Sequence, residues 1–267
     1  PLVEPASGRR NLGSMGFMQG GTGWYRKNFY ISSDYRNKLV SVQFDGVYHQ
    51  CDVYINGRHL GFHPYGYTGF EYDLTGYLNI DGDNTLAVKV DHSNYPSSRW
   101  YSGSGIYRHV WLTVTDKIHV PSWGTCITTP EVTDEAAVVR IVTTVENGSG
   151  KIETVQVRNR ILDSDGNEVI SSTASKTVAE GSREDFEQTL NLEKPVLWSV
   201  EDPHLYRMET TIRSGGSLKD IYVTPFGVRW FRFDADKGFF LNGKNIKLKG
   251  VNLHQDAGSL GTAVPDM

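Results

Sequence analysis

Cysteine occurs only twice in these 267 residues, at Cys51 and Cys126. Two cysteines cannot build a structural zinc site, which takes four ligands. They fall in different predicted domains and read as two buried free thiols rather than a disulfide. No apolar run approaches the ~18 residues of a membrane span. Charge is balanced, with 27 basic and 31 acidic residues and a formal net of −4, so no basic stripe suggests a nucleic-acid surface. Helical periodicity beyond two turns is missing, as are internal repeats and low-complexity tracts. An initiator methionine and a targeting segment are also missing, and with Pro1 opening mid-pattern the localisation stays unknown.

Against these absences stand 12% aromatic residues and 28 glycines, the composition of β structure with many turns. From Trp24 onward short strands follow at close intervals: GWYRKNFYI, LVSVQFDGV with Val40, Val42 and Phe44 in phase, a hairpin around Asn56-Gly57, TLAVKVD, and IYRHVWLTVTD. Period-2 alternation with one wet face indicates antiparallel sheets. Strands and turns in this number predict a β-sandwich of jelly-roll type. Near Ile118–Ser122 the pattern resets. The next hundred residues hold strand pairs separated by Asn147-Gly148, Ser164-Asp165-Gly166-Asn167 and Gly215-Gly216, each a competent turn. About seven short strands over about 100 residues is the size of an immunoglobulin-like sandwich. Trp24, Trp111, Trp123, Trp198 and Trp230 sit in strands or at strand ends, where core burial is the default.

The tail changes character again. Phe239-Phe240-Leu241, Asn242-Gly243 and the alternating Ile246 and Leu248 read as a tight hairpin, since Asn-Gly supplies the two positive φ angles such a turn needs. The second arm ends in Gly250-Val251-Asn252-Leu253-His254-Gln255-Asp256. A buried strand that delivers polar groups at its C-terminal end is how a (β/α) barrel presents an active site, and a whole barrel takes about 250 residues. The expected layout is all-β: 1–118 a jelly-roll domain, 119–233 an immunoglobulin-like sandwich, and 234–267 the hairpin and first strand of a truncated TIM barrel. Val251, Leu253, Phe239 and Phe240 would then form an apolar strand edge inviting a homo-oligomer.

Five collinear blocks, covering about half the chain, resemble glycoside hydrolase family 2, the β-galactosidases, β-glucuronidases and β-mannosidases. They are GGTGWYRKNFYI, FDGVYHQCDVYINGRHLGFHPYGYTGFEYDLTGYL, SSRWYSGSGIYRHVWL, LWSVEDPHLY and FGVRWFRFDADKGFFLNGKNIKLKGVNLHQDAG. The resemblance implies a sugar-binding jelly roll, an immunoglobulin-like sandwich and a TIM barrel. It also implies retaining hydrolysis by two glutamates about 5–5.5 Å apart. Both glutamates are expected beyond Met267, so no residue of this chain is assigned a catalytic role and the chain alone is expected to be inactive. The one Asn-Glu dipeptide, Asn167-Glu168, mimics the family's acid/base signature but lies in a predicted sandwich hairpin.

The resemblance also supplies the site candidates. His254 matches the family histidine that faces the sugar hydroxyls, toward which an imidazole both donates and accepts. Asp256, two residues on, would accept from a sugar hydroxyl or orient His254. Asn252 shares that parity and would contact substrate or brace the strand end. Arg99 and Trp100 lie on the loop before SGIYR, which in relatives reaches the barrel mouth. Some relatives place an aspartate there, and this chain has none directly before the tryptophan. Arg99 is the substitute, or a salt bridge pinning the loop; Trp100 stacks on a sugar face or packs at a domain junction. Within HPYGYTGFEYDL, His63, Tyr65, Tyr67, Phe70 and Tyr72 read as packing rather than as a sugar platform. The implied partner is a β-linked oligosaccharide or glycoside, with neither nucleic acid nor membrane. No cofactor is implied for this part, and a metal in the barrel stays open. A β-galactoside is favoured because no additional cationic pocket for a carboxylate is evident; a β-glucuronide or β-mannoside is the alternative. Two other readings remain, a freestanding carbohydrate-binding module and a structural tandem sandwich.

Overall fold

The computed structural model describes residues 21–93, 103–252 and 262–264. They form two compact units, one holding the described residues up to Val114 together with those from Val251 on, the other Thr115–Gly250.

The first unit is built from β1 (Thr22–Ile31), β2 (Leu39–Phe44), β3 (Val47–Tyr48), β4 (Cys51–Ile55), β5 (Arg58–His63), β6 (Phe70–Asp73), β7 (Gly82–Asp91), β8 (Gly105–Ile106) and β9 (Val110–Thr115). They make sheets of order β1-β7-β4-β5 and β6-β2-β9, with β3 paired to β8. Alternation places the core between the two larger sheets. Val40, Val42 and Phe44 of β2 meet Cys51, Val53 and Ile55 of β4 and Val88 and Val90 of β7, all buried. Each such side chain stabilises by about 1.5–3 kcal/mol when fully removed from water. The β4–β5 turn has Asn56 at φ 50° and Gly57 at φ 80°, the paired left-handed angles that Asn-Gly adopts at low cost.

The second unit comprises β10 (Ile118–His119), β11 (Thr125–Val132), β12 (Ala136–Asn147), β13 (Glu153–Leu162), β14 (Glu168–Val178), β15 (Arg183–Glu193), β16 (Tyr206–Ser214), β17 (Ser217–Phe226), β18 (Phe231–Asp234), β19 (Gly238–Leu241) and β20 (Lys244–Asn245). One sheet centres on β12, which pairs with β10, β11 and β15; the other runs β14-β13-β16-β17. The long strands β11 to β17 form the immunoglobulin-like sandwich. Its apolar core includes Val139, Ile141, Ile161, Met208 and Leu192, continued by Val145, Val155, Val157, Phe186 and Ile212. Polar groups also cross between the sheets. Buried Asn159 donates to Thr143 Oγ1 at 3.3 Å and accepts from Thr210 Oγ1 at 2.6 Å. Strands β18, β19 and β20 form a small antiparallel meander.

Several side chains lie where periodicity did not put them. Trp24, Trp111 and Trp123 are exposed at 49, 51 and 69%, because each projects from a sheet or turn face that no described element covers. Cys126 is exposed, whereas Cys51 is buried, and both thiols are free. The hairpin at Asn242-Gly243 forms, but strand pairing stops at Asn245 and residues 246–252 are irregular. A barrel strand is held by neighbouring strands; among the described residues Ile246 N–H still donates to Phe239 O of β19 at 3.0 Å, and no ladder continues past it. Phe240, expected on an exposed edge, is buried under the Arg232 guanidinium, 3.7 Å from its ring centre.

Candidate functional site

Arg99, Trp100, His254 and Asp256 lie outside the described residues. Asn252 ends the long described run and is exposed in irregular chain. What the structure does give is the frame from which those stretches depart.

Strand β7 runs into His92, and Ser104 leads into β8. The two residues join at His92 Nδ1···Ser104 Oγ, 2.5 Å. His92 is 4% exposed, and its backbone N–H donates to Gly21 O at 2.9 Å, extending the β1–β7 ladder by one bond. Burial pushes the His92 imidazole below its ordinary value; the neighbouring His49 adds to this and Asp91 opposes it. Tyr48 is the hub of the surroundings. Its ring meets those of His49 at 4.8 Å, Tyr67 at 5.3 Å and His92 at 4.9 Å, all edge to face. Its backbone pairs with Gly105.

Two glycines are required here. Gly103 has φ 67° and Gly105 φ 89°. A Cβ on Gly103 would stand 2.1 Å from Thr262 Oγ1, and one on Gly105 2.0 Å from the Tyr25 hydroxyl. The approach of Thr262 to Gly103 brings together, in the first unit, the chain just after the Arg99 stretch and the chain just after the His254 stretch. Tyr65 and Tyr67 flank this frame at 56 and 43% exposure, while His63 stacks on Phe70 at 4.1 Å within the packing. The exposed rings of Tyr65 and Tyr67 are of the kind that complements apolar C–H faces, whereas the buried His92 imidazole is engaged with Ser104. Among the described residues no group of three His, Cys, Asp or Glu stands close enough to hold a metal ion.

Tyr48, His92 and Ser104 were not singled out by spacing, because an imidazole at a strand end and a serine among glycines carry no periodic signal. The Asn-Glu dipeptide is structural. Glu168 takes Arg158 Nη2 at 2.8 Å and lies 3.6 Å from Arg160 Nη1 on the sandwich. A hydrogen bond from Ser171 and those two guanidinium groups hold its carboxyl below the ordinary value.

Comparison with known proteins adds the rest. Residues 16–116 match the model described as the sugar binding domain of glycosyl hydrolases family 2, and residues 124–229 the model described as glycosyl hydrolases family 2. A β-galactosidase, BoGH2A, from Bacteroides ovatus is 45% identical over 249 residues, 93% of this chain and 29% of that protein. A putative β-glucuronidase from Formosa agariphila is 37% identical over 248 residues, 93% of this chain and 23% of its own length. A crystal structure of a family 2 glycosyl hydrolase from Bacteroides cellulosilyticus superposes with a TM-score of 0.88 at 38% identity, covering 92% of this chain and 34% of that one. The chain therefore spans about a third or less of the length of each.

Proposed function

The chain belongs to glycoside hydrolase family 2, and from that premise we propose that it forms the N-terminal portion of a retaining hydrolase of terminal β-galactosides. The observation that carries this reading is the continuous match to a β-galactosidase at 45% identity across both sandwiches. In it, residues 1–118 are the sugar-binding jelly roll, 119–233 the immunoglobulin-like domain and 234–267 the start of the catalytic barrel. His254, Asp256, Asn252, Arg99 and Trp100 contact or wall the terminal sugar. The frame of Tyr48, His92 and Ser104 holds the root from which the Arg99 stretch departs, so the role of this chain is to shape the pocket. The acid/base and nucleophile, two glutamates about 5–5.5 Å apart for a retaining reaction, come from the remainder of the longer protein. Without them residues 1–267 do not hydrolyse glycosides, since positioned proton transfer alone contributes about 10²–10⁴ in rate.

A β-glucuronide is the second reading, favoured by relatives such as the Formosa protein. The deciding experiment compares kcat/KM of the full-length protein on aryl β-D-galactoside and aryl β-D-glucuronide, with residues 1–267 assayed in parallel. Preference for the galactoside and an inactive shorter chain are expected. Preference for the glucuronide overturns the substrate, and turnover by the shorter chain overturns the placement of the glutamates. Val251, 92% exposed in the apolar stretch after β20, is proposed to help pair two copies of the shorter chain. Light scattering showing a monomer would exclude this.

A further inference from the structure

Strands β18 and β19 carry apolar side chains of both parities. Phe239-Phe240-Leu241 is an unbroken apolar run, the pattern of a strand covered on each face. One face is closed, with Phe240 buried under the Arg232 guanidinium. The other is open. Register places Phe233 opposite Phe239 and Phe231 opposite Leu241. The rings of Phe231, Phe233 and Phe239 form a triangle with centres 6.1, 6.0 and 5.1 Å apart. Phe231 and Phe233 are nonetheless 59 and 71% exposed. From Phe233 and Phe239 the surface runs into a groove of about 480 Å³, lined also by Ile246, Leu248, Lys237 and Lys247.

The backbone beneath these rings is fixed. Asp234 accepts from the N–H groups of Asp236 and Lys237 at 3.0 and 2.9 Å. Asn245 Nδ2 donates to the carbonyls of Lys237 and Phe239 at 2.7 and 3.2 Å. A surface set in advance loses little conformational freedom when it is covered. Clustered exposed aromatics of this kind mark an interaction surface.

Charge and connectivity choose the occupant. Between Arg229 and Gly250 stand six basic and two acidic residues, a local charge of +4 in a chain of −4. Two copies meeting through this face would set Lys237 and Lys247 against their own counterparts, which opposes self-pairing. A sugar would need polar groups around the rings, but the Asn245 amide is already committed to backbone. The chain covers 29% of its β-galactosidase relative, so most of a protein of that length lies outside the match. A segment tethered to the meander meets it at an effective concentration of about millimolar, which a free partner rarely reaches.

We propose that the open face of β18 and β19 is the docking surface on which the part of the longer protein that follows this chain closes. Phe231, Phe233 and Phe239 are its apolar centre. The proposal rests on the reading that the chain is one portion of a longer hydrolase, and it adds the face through which the sandwich holds the remainder.

The test is hydroxyl-radical footprinting of the longer protein, with the fully buried Phe186 as the protected reference. Phe231 and Phe233 are expected to oxidise at least about tenfold more slowly than in the unfolded chain, since a covered ring reacts only on local opening. Dilution leaves that protection unchanged. In dilute residues 1–267 both rings oxidise readily while Phe186 does not. Rings in the longer protein that react as in the unfolded chain overturn the proposal. So does protection lost on dilution, which assigns the face to a second copy, or protection already present in residues 1–267. Stability supplies a second arm that needs only the longer protein. Phe233→Ala lowers its thermal midpoint by about 5–10 °C, whereas Phe233→Leu recovers most of the loss. A midpoint that Phe233→Ala moves by less than about 2 °C, as at an exposed site, overturns the docking role. A longer protein inactive on galactoside and glucuronide overturns the functional reading instead, and footprinting still decides whether the face is covered.

Discussion

Asn147 is wholly buried, and its Nδ2 faces the carbonyls of Lys151, Val178 and Ala179 at 2.8, 3.0 and 3.2 Å. Its Oδ1 accepts from Ser149 N–H at 3.0 Å. As a string of letters, Asn147-Gly148-Ser149 is a glycosylation acceptor and equally a plain turn; burial decides for structure. Asn147→Ala leaves three carbonyls short of a donor and is expected to cost about 3 kcal/mol, read as a lower urea midpoint at unchanged slope. The same burial predicts that intact mass from a glycosylating host shows no glycan at this site. The thiols divide on the same principle. Burial, aided by Asp52, pushes Cys51 up to about 11, while Cys126 is exposed. The thiolate is the reactive form, so iodoacetamide on the native protein is expected to label Cys126 alone, with Cys51 following only in denaturant. Early labelling of Cys51 would show that β4 opens more readily than its packing implies.

Hairpins were the elements most legible beforehand, because positive φ leaves a chemical trace. Asn56-Gly57, Gly215-Gly216 and Asn242-Gly243 all turn where glycine or asparagine announced it, with Gly215 at φ 57° and Gly216 at φ 75°. Around Gly216 no atom lies within 4 Å of a would-be Cβ, so Gly216→Ala isolates the backbone term. It is expected to destabilise by about 1–2 kcal/mol, measurable by urea titration, without disturbing the core of β16 and β17. Strand faces were legible only where alternation was strong, as in β2 and β4. In β1 and β9 aromatic and aliphatic residues occupy both parities, so no periodic rule could mark Trp24 and Trp111 as outward. The polar tie of Asn159 between the sheets was likewise invisible, since each partner is an ordinary strand residue. The site frame depends on contacts between residues as distant as Gly103 and Thr262, which no local pattern encodes. Between Ile246 and Asn252 the described chain is irregular where a strand was expected, because a ladder needs a partner and hydrophobicity alone does not supply one.

At the scale of the whole molecule, the two units differ in which groups hold displaced protons. In the first, burial holds the imidazoles of His63 and His92 below their ordinary value. Above pH about 6.5 an ordinary histidine is neutral whether the chain is folded or not, and stability is unaffected. As pH falls through that value the unfolded chain takes up protons that the folded unit refuses, and stability declines until the lowered folded values are reached. In the second unit the groups displaced in the acid range are carboxyls held low by hydrogen bonds. Ser214 acts on Glu153, the Asn167 N–H on Asp163, Ser171 on Glu168 and the Lys237 N–H on Asp234. Their contribution is complete above the ordinary carboxyl range and is lost only as pH drops below about 4. Asp91, held low by Ser93, adds the same acid-range loss to the first unit. The expected outcome is sequential. Between pH about 7 and 5, amides of β4 and β7 lose protection from hydrogen exchange, after correction for intrinsic rates, while those of β12 and β13 keep theirs. Protection in the sandwich of β12 and β13 then falls below pH about 4. Retained protection of β4 and β7 between pH 7 and 5 would mean that His63 and His92 take up protons in place, and that the first unit is not stabilised by keeping them neutral.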